Sequence, residues 1–296
     1  MNWINVFELL CYAITAMFLW DVIRKKSREE LWLFISAAIA GFALELLAVR
    51  VTDIYHYSPD FYISIGFKPY QFPFFGGLMW GGLTVYGLRI ARRLKLNDFM
   101  TALVTGWLIV TMDILLDVAA IRLDGGFWVW DGREITLEIT HHMFMSVIWV
   151  NFLGYMFETP AMVFISLKTA AKRNRMPVWT QLLAAIGIGV SGVAFVGAAS
   201  GISLLLNAVT NEWFACIAFV LLWCFVLMMI IRRCICAGNK VTAAKNRDVP
   251  VLIYWAVMYG FSLVALIHLG IASAVPVYFI FGIVMCTVTL YLVVRE

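Results

Sequence analysis

Repeated apolar runs are the feature that most restricts the fold of this chain. Nine runs can be read along the sequence, and each is long enough to cross a bilayer, which takes about 20 residues of helix. They cover 3–23, 31–51, 72–90, 99–121, 142–167, 178–206, 213–231, 249–270 and 275–294. Only 14% of the 296 residues are charged, against about 25% in a soluble domain. The pattern predicts an all-α fold, a polytopic transmembrane helical bundle in which 1–296 is one integral membrane domain.

The distribution of basic residues predicts the orientation of this bundle. Of the 22 lysines and arginines, 18 fall in alternate connections and at the C-terminus. The other four are Arg50, Lys68, Arg122 and Arg133. Because cytoplasmic loops are enriched in Lys and Arg, nine spans put the N-terminus outside and the C-terminus inside. We expect a multi-pass protein of a prokaryotic cell membrane, and the short basic blocks between apolar runs do not indicate nucleic-acid binding.

Acidic residues inside the apolar runs are confined to the first half of the chain. Asp113 and Asp117 are four residues apart in the fourth run, so they project from one helix face. At 1.5 Å per residue they lie about 12 and 6 Å below the predicted outer surface, and Glu45 of the second run lies about 10 Å below it. The other polar residues of these runs are Glu8, Asn151 and Glu158. Residues 1–167 are therefore the candidate active-site half, and 178–296 are predicted to be structural helices.

The three carboxyl groups of Glu45, Asp113 and Asp117 predict acid chemistry in an apolar layer. A charged side chain at membrane depth costs about 2.5–3.5 kcal/mol on insertion scales, so it normally faces a cavity, a partner or a pathway. Three neighbouring carboxyls cannot all be charged there, because desolvation and mutual repulsion both favour the neutral form. At least one is expected to keep its proton and to act as a general acid on an apolar substrate.

Each of these polar residues also has a structural interpretation. Glu45 can pair with Arg50 or Arg122 as a buried ion pair, and Asp117 can be an ordinary helix-end residue. Glu158 can form a structural hydrogen bond beside the proline kink of the fifth run. The aromatic residues of the outer connections, about 52–71 and 122–141, form either an interfacial belt or the lid of an outward-facing pocket.

Four short motifs favour structural roles. The histidines at 141–142 lack a Glu at metal-site spacing and are predicted to be interfacial. Cys234 and Cys236 have no partner pair, so free thiols are expected rather than a zinc site. The glycine spacings at 77–81 and 197–201 both predict close helix packing.

The order of the motifs resembles the carotenoid biosynthesis membrane-protein family. This family includes the bisanhydrobacterioruberin hydratases and other carotenoid hydratases, and it is distantly similar to the membrane lycopene cyclases. The residues that carry the resemblance are Glu45, Tyr55, Tyr57, Pro73, Trp80, Asp113, Asp117, Trp128, Trp130, Asn151, Gly154 and Tyr155. The chain departs from the family at 146–148, where the family usually has Gly-Val-Pro. The resemblance implies the bundle fold and carboxylate-based acid chemistry.

The leading hypothesis is an integral membrane enzyme of carotenoid or isoprenoid biosynthesis, a hydratase (a lyase) or a cyclase. A protonated carboxyl of Glu45, Asp113 or Asp117 protonates a double bond, and water or an internal alkene quenches the carbocation. Asn151 orients the acid or the water. The predicted substrate-binding residues are Tyr55, Tyr57, Trp80, Trp128, Trp130 and Tyr155, whose ring faces suit a cation. No metal or cofactor is expected, and the expected partners are an apolar isoprenoid or carotenoid substrate and membrane lipid.

Three other functions remain open. An aspartate-rich prenyltransferase would hold magnesium and diphosphate on Asp113 and Asp117, but only Arg50 and Arg122 lie near enough to clamp a diphosphate, and the acids face outward. A proton-coupled transporter also uses intramembrane carboxylates, although transporters often have two related halves with paired broken helices. An accessory subunit of lipid-modifying enzymes is the third.

Overall fold

The chain folds into a helical bundle. The structure is a computed structural model that describes residues 2–51, 55–130, 134–236 and 248–294, without the side chains of Trp130 and Cys236. Its helices are α1 Trp3–Lys25, α2 Arg28–Val51, α3 Phe74–Arg93, α4 Asp98–Ala120, α5 Trp149–Arg173, α6 Val178–Val209, α7 Trp213–Cys236, α8 Val249–His268, α9 Ile271–Ala274 and α10 Pro276–Val294. The predicted all-α polytopic fold is confirmed.

Eight of the described helices are long and apolar enough to cross a membrane. The ninth predicted span, 72–90, forms α3, which has 20 residues and so extends about 30 Å. It is less apolar than the others because it is rich in glycine and carries arginines at its C-terminal end. Helix α4 lies in the centre of the bundle, where it contacts α3, α5, α7, α8 and α10. Of its 18-residue apolar stretch, 89% is buried.

An ion-pair cluster joins the ends of four helices. Arg89 of α3 contacts Asp21 near the end of α1 at 2.6 Å, and Glu30 in the first turn of α2 at 2.7 Å. It also contacts Asp248, which precedes α8, at 3.1 Å. We call this the basic end of the bundle, and α3 reaches it by running antiparallel to α2.

Five basic residues used in the orientation prediction lie outside the described part of the chain, namely Arg133, Lys240, Lys245, Arg247 and Arg295.

Glycines allow α2 and α3 to pack closely. A Cβ atom added at Gly77 would lie 2.5 Å from the ring of Phe42, and one added at Gly81 would lie 2.5 Å from the ring of Phe34. Only a residue without a side chain permits this approach. The close packing predicted for 77–81 is therefore confirmed.

The close packing predicted for 197–201 is wrong for contacts within the described chain. Cβ atoms added at Gly197 and Gly201 would have no described neighbour within 4 Å, because both glycines lie on an open face of α6. The close approach of α6 to α2 occurs earlier, at Gly189, where a Cβ atom would lie 2.6 Å from the carbonyl oxygen of Ser36. A glycine spacing alone does not reveal which helix face is covered.

Short antiparallel strands connect the helices at the end opposite the basic end, which we call the cavity end. Strand β1 (Tyr55–Tyr57) pairs with β4 (Trp128–Trp130), β2 (Ser64–Ile65) pairs with β3 (Phe72–Pro73), and β5 (Met143–Phe144) pairs with β6 (Val147–Ile148). In the first pair Tyr55 lies opposite Trp130, and Tyr57 lies opposite Trp128. The two aromatic connections therefore join each other rather than lying separately at the surface.

Two further polar groups stabilise connections at the cavity end. The Glu8 carboxylate accepts hydrogen bonds from the backbone N–H groups of Tyr62 at 2.6 Å and Ile63 at 2.9 Å, so α1 holds the connection between α2 and α3. The His142 ring contacts the carboxylate of Glu212. The neighbouring ring of His141 stacks on Trp213.

Candidate active site

The cavity end contains a cavity of about 110 Å³ among α2, α3, α4, α5 and the paired strands. Nine of the ten predicted site residues line it: Glu45, Tyr55, Tyr57, Trp80, Asp113, Asp117, Trp128, Asn151 and Tyr155. The side chain of the tenth, Trp130, lies outside the described residues, although its backbone pairs with Tyr55. Asp113 faces this cavity rather than lipid, and no helix separates it from Glu45.

Three tyrosine hydroxyl groups donate hydrogen bonds to Glu45. The hydroxyls of Tyr55 and Tyr57 contact Oε2 at 2.5 and 2.7 Å, and that of Tyr155 contacts Oε1 at 3.2 Å. The Tyr55 and Tyr57 side chains reach the same carboxylate because residues two apart in a strand face the same side. The Glu45 carboxylate, only 4% exposed, is thus satisfied by neutral donors.

The two phenols of β1 remain proton donors at neutral pH. Burial, and then the negative charge of Glu45, raise the pKa of Tyr55 well above the ordinary value for a phenol. The same causes, in the same order, raise the pKa of Tyr57. Hydrogen bonds donated to a carboxylate stabilise its charged form. This arrangement therefore supports an anionic Glu45.

The alternative interpretation of Glu45, an ion pair with Arg50 or Arg122, is not found in the structure. The Arg122 guanidinium donates instead to three backbone carbonyl groups of the cavity end. Arg50 is exposed and contacts no acidic side chain among the described residues. Of the described residues that line the cavity, none is Lys, Arg or His. Among the described residues, the acids therefore meet without a cation that lines the same cavity.

Asp113 and Asp117 have different surroundings. One oxygen of Asp117 accepts a hydrogen bond from the Asn151 side-chain amide at 3.1 Å. Asp113, one turn deeper in α4, has its Oδ2 atom buried without a hydrogen-bond partner in the described part of the chain. A carboxylate is strongly disfavoured where neither a cation nor a donor compensates its charge, so the neutral acid is the form that fits this position.

The arrangement does not suit a metal and diphosphate. Within the described residues, no group of three or more His, Cys, Asp or Glu side chains is placed to hold a metal ion. The described residues that line the cavity also include no basic side chain to bind phosphate oxygens. The same cavity instead contains carboxyl groups in different surroundings and several aromatic rings. Two of these rings, those of Tyr57 and Trp128, have centres 5.9 Å apart.

Some features of the site were not predicted. Phe7 of α1 and Met258 of α8 line the cavity, and Met258 belongs to the half of the chain predicted to be structural. Each is one apolar residue in an apolar run, so the sequence contains no signal for it. Glu8, placed at the same depth by its position in the first run, holds a connection instead of lining the cavity.

The surroundings of Glu158 in α5 do not fit its structural interpretation. It is 0% exposed, and neither carboxyl oxygen has a hydrogen-bond partner among the residues that the structure describes. Of the two interpretations of Glu158, the structural hydrogen bond beside Pro160 is therefore not found among the described residues. Glu158 lies one turn beyond Tyr155 toward the basic end, and it does not line the cavity.

Comparison of the chain with models of protein families, with curated proteins and with solved structures found no match in any of the three. The resemblance to the carotenoid biosynthesis family stays a prediction carried by the motifs, most of whose side chains line the cavity.

Proposed function

We propose that this protein is an integral membrane enzyme that protonates a double bond in the end group of an isoprenoid or carotenoid chain. The observation that carries the proposal is the buried, unpartnered carboxyl oxygen of Asp113 in an aromatic cavity. A neutral acid in such a place can transfer its proton to an apolar substrate, which is the role of a general acid.

Glu45 and the aromatic rings stabilise the cation that this step creates. Protonation moves the Asp113 proton to one alkene carbon and leaves a tertiary carbocation on the other. The rings of Tyr57 and Trp128 offer their faces to positive charge, and the Glu45 carboxylate supplies a fixed negative charge. The different surroundings of Glu45 and Asp113 thus assign the two carboxyls opposite roles, one anionic and one acidic.

The second step returns the acid to its starting form. In hydration, water adds to the carbocation, and the proton that the water loses goes to the Asp113 carboxylate. In cyclisation, an internal alkene attacks the cation, which closes a ring and moves the positive charge to a ring carbon. A C–H group next to that carbon then loses its proton to the Asp113 carboxylate and forms a double bond. The Asn151 amide, bonded to Asp117, lies at the polar side of the cavity, where it can orient water.

The size of the cavity indicates which part of a substrate it accepts. A cavity of about 150 Å³ is large enough for benzene, so the 110 Å³ available here suits an end group of about five carbons. A complete carotenoid is far larger. We infer that the terminal isoprene unit enters the cavity while the remainder of the chain stays in contact with membrane lipid.

The test is the isosteric change Asp113→Asn in cells that make an acyclic carotenoid. We expect the wild type to form a hydrated or cyclised pigment and Asp113→Asn to form it at least about 100-fold more slowly, because the amide has no acidic proton. Asp98→Asn is the matched control, since Asp98 is a half-exposed residue that pairs with Lys168 at 2.8 Å and does not line the cavity. Identical pigments in wild type, variant and empty cells would refute the proposal.

A proton-coupled transporter is the second candidate, and Glu158 is the observation that favours it. This buried carboxyl lies between the cavity and the basic end, where a proton pathway needs a group that can bind and release a proton. Proteoliposomes with a pH gradient and a trapped pH dye distinguish the two functions. Proton flux that Glu158→Gln abolishes supports transport, whereas the enzyme gives no flux in either protein.

A further inference from the structure

Arg173, the last residue of α5, is a buried cation without a matching anion. It is 1% exposed, and its Nη2 atom donates to the hydroxyl of Ser166 at 3.1 Å. Its Nε and Nη1 atoms have no hydrogen-bond partner among the described residues. The nearby acid Glu29 is engaged elsewhere, because its carboxylate contacts Arg92 at 2.5 Å. A buried charge is strongly unfavourable without a partner, so the described chain leaves a place for an external anion.

A groove beside Arg173 has the shape and composition to supply that anion. It lies between α5 and α6 near the basic end and has a volume of about 320 Å³. Arg173 and the exposed Lys172 form its charged part, and Thr169 of the same helix also lines it. Ile165 and Ile188 belong to its apolar part. The groove thus combines positive charge at one end with an apolar surface along its length.

We propose that this groove binds an anionic phospholipid. The phosphate accepts hydrogen bonds from Arg173 and Lys172, while an acyl chain lies against Ile165 and Ile188. Basic pockets between transmembrane helices on the cytoplasmic side bind anionic head groups, and an arginine suits phosphate because two of its N–H groups can donate in parallel. Because Nε and Nη1 are buried, binding requires the guanidinium to turn so that these atoms face the phosphate. The site is separate from the acid cavity and does not depend on the proposed reaction.

Native mass spectrometry of the purified full-length protein tests the site with defined probes. Phosphatidylglycerol, phosphatidylcholine and inorganic phosphate are titrated in separate arms. We expect phosphatidylglycerol to bind the wild type at least about tenfold more tightly than phosphatidylcholine, which has no net charge. Stronger binding of inorganic phosphate than of phosphatidylglycerol would overturn the assignment to a lipid.

Two variants and a control make the result specific to this groove. Arg173→Gln and the exposed change Lys172→Gln should each weaken phosphatidylglycerol binding about tenfold or more. Lys168→Gln is the control, because Lys168 carries the same charge on the same helix but pairs with Asp98 outside the groove. Equal loss in Lys168→Gln and Lys172→Gln would show a general surface charge effect and refute the site. Lys172→Gln keeps the test valid even where Arg173→Gln fails to fold.

Discussion

At the scale of single residues, the two acids of the proposed reaction differ in what surrounds them rather than in depth. Glu45 receives three phenol hydroxyls, and Asp113 leaves a carboxyl oxygen without a donor. Burial alone would favour the neutral form of both carboxyls, because both lose contact with water. The hydrogen bonds from the tyrosines therefore decide which carboxyl is anionic and which remains available as an acid.

This view predicts that Tyr57 stabilises the fold as well as the site. Tyr57→Phe removes the hydroxyl that donates to Glu45 at 2.7 Å and leaves a buried acceptor less satisfied. We expect the free energy of unfolding to fall by about 1–3 kcal/mol, measured by denaturant titration in detergent. Tyr62→Phe is the control, since that side chain is 61% exposed. An equal loss in both variants would show that the contact with Glu45 is not the cause.

At the scale of helices, the packing of α3 on α2 depends on individual glycines. Gly77→Ala would bring a methyl group to 2.5 Å from the Phe42 ring, so the helices must separate or the ring must move. Overpacking of this kind costs about 1–3 kcal/mol, and we expect a lower midpoint of thermal unfolding in detergent.

Gly197→Ala provides the matched comparison in α6. Apart from the neighbouring residues and backbone of its own helix, no described atom lies within 4 Å of the new methyl group. Alanine is also the better helix former, so stability should stay equal or rise. Should Gly197→Ala prove as destabilising as Gly77→Ala, the open face of α6 would have to be covered by another molecule. The pair of variants thus separates packing within the chain from packing between chains.

The helices were largely predictable from the sequence, whereas their connections were not. The predicted span 99–121 became Asp98–Ala120, because in lipid every backbone group must be bonded within its own helix and an apolar run of that length has few alternatives. The pairing of β1 with β4 had no such signal. Each strand is three residues long, and the partner residues are more than 70 positions apart, so no local pattern relates them.

At the scale of the whole molecule, the candidate site was predictable only in part. Alternating spans and residue depth brought Glu45, Asp113 and Asp117 to one level, and the structure places all three in one cavity. Depth does not specify which helices are neighbours around the bundle. For that reason Phe7 and Met258 could not be predicted as lining residues.

The orientation of the bundle decides which compartment the cavity end faces, and labelling of single cysteines measures it. The cluster of Arg89, Asp21 and Glu30 joins helix ends that the distribution of Lys and Arg predicts to be cytoplasmic. Phe67 is 83% exposed at the cavity end, and Lys26 is exposed beside the basic end. Phe67→Cys and Lys26→Cys, each made in a chain whose native cysteines are replaced, report the two sides.

We expect a membrane-impermeant maleimide to label Phe67→Cys in intact cells and Lys26→Cys only after permeabilisation. Folding should tolerate both changes, because neither side chain is buried. The reverse labelling would put the acid cavity toward the cytoplasm, where soluble diphosphate substrates are made. It would remove the argument from orientation against a prenyltransferase. The lack of a metal-holding group and of a basic lining side chain, both among the described residues, would still oppose it. The labelling result therefore bears on the class of substrate as well as on the topology.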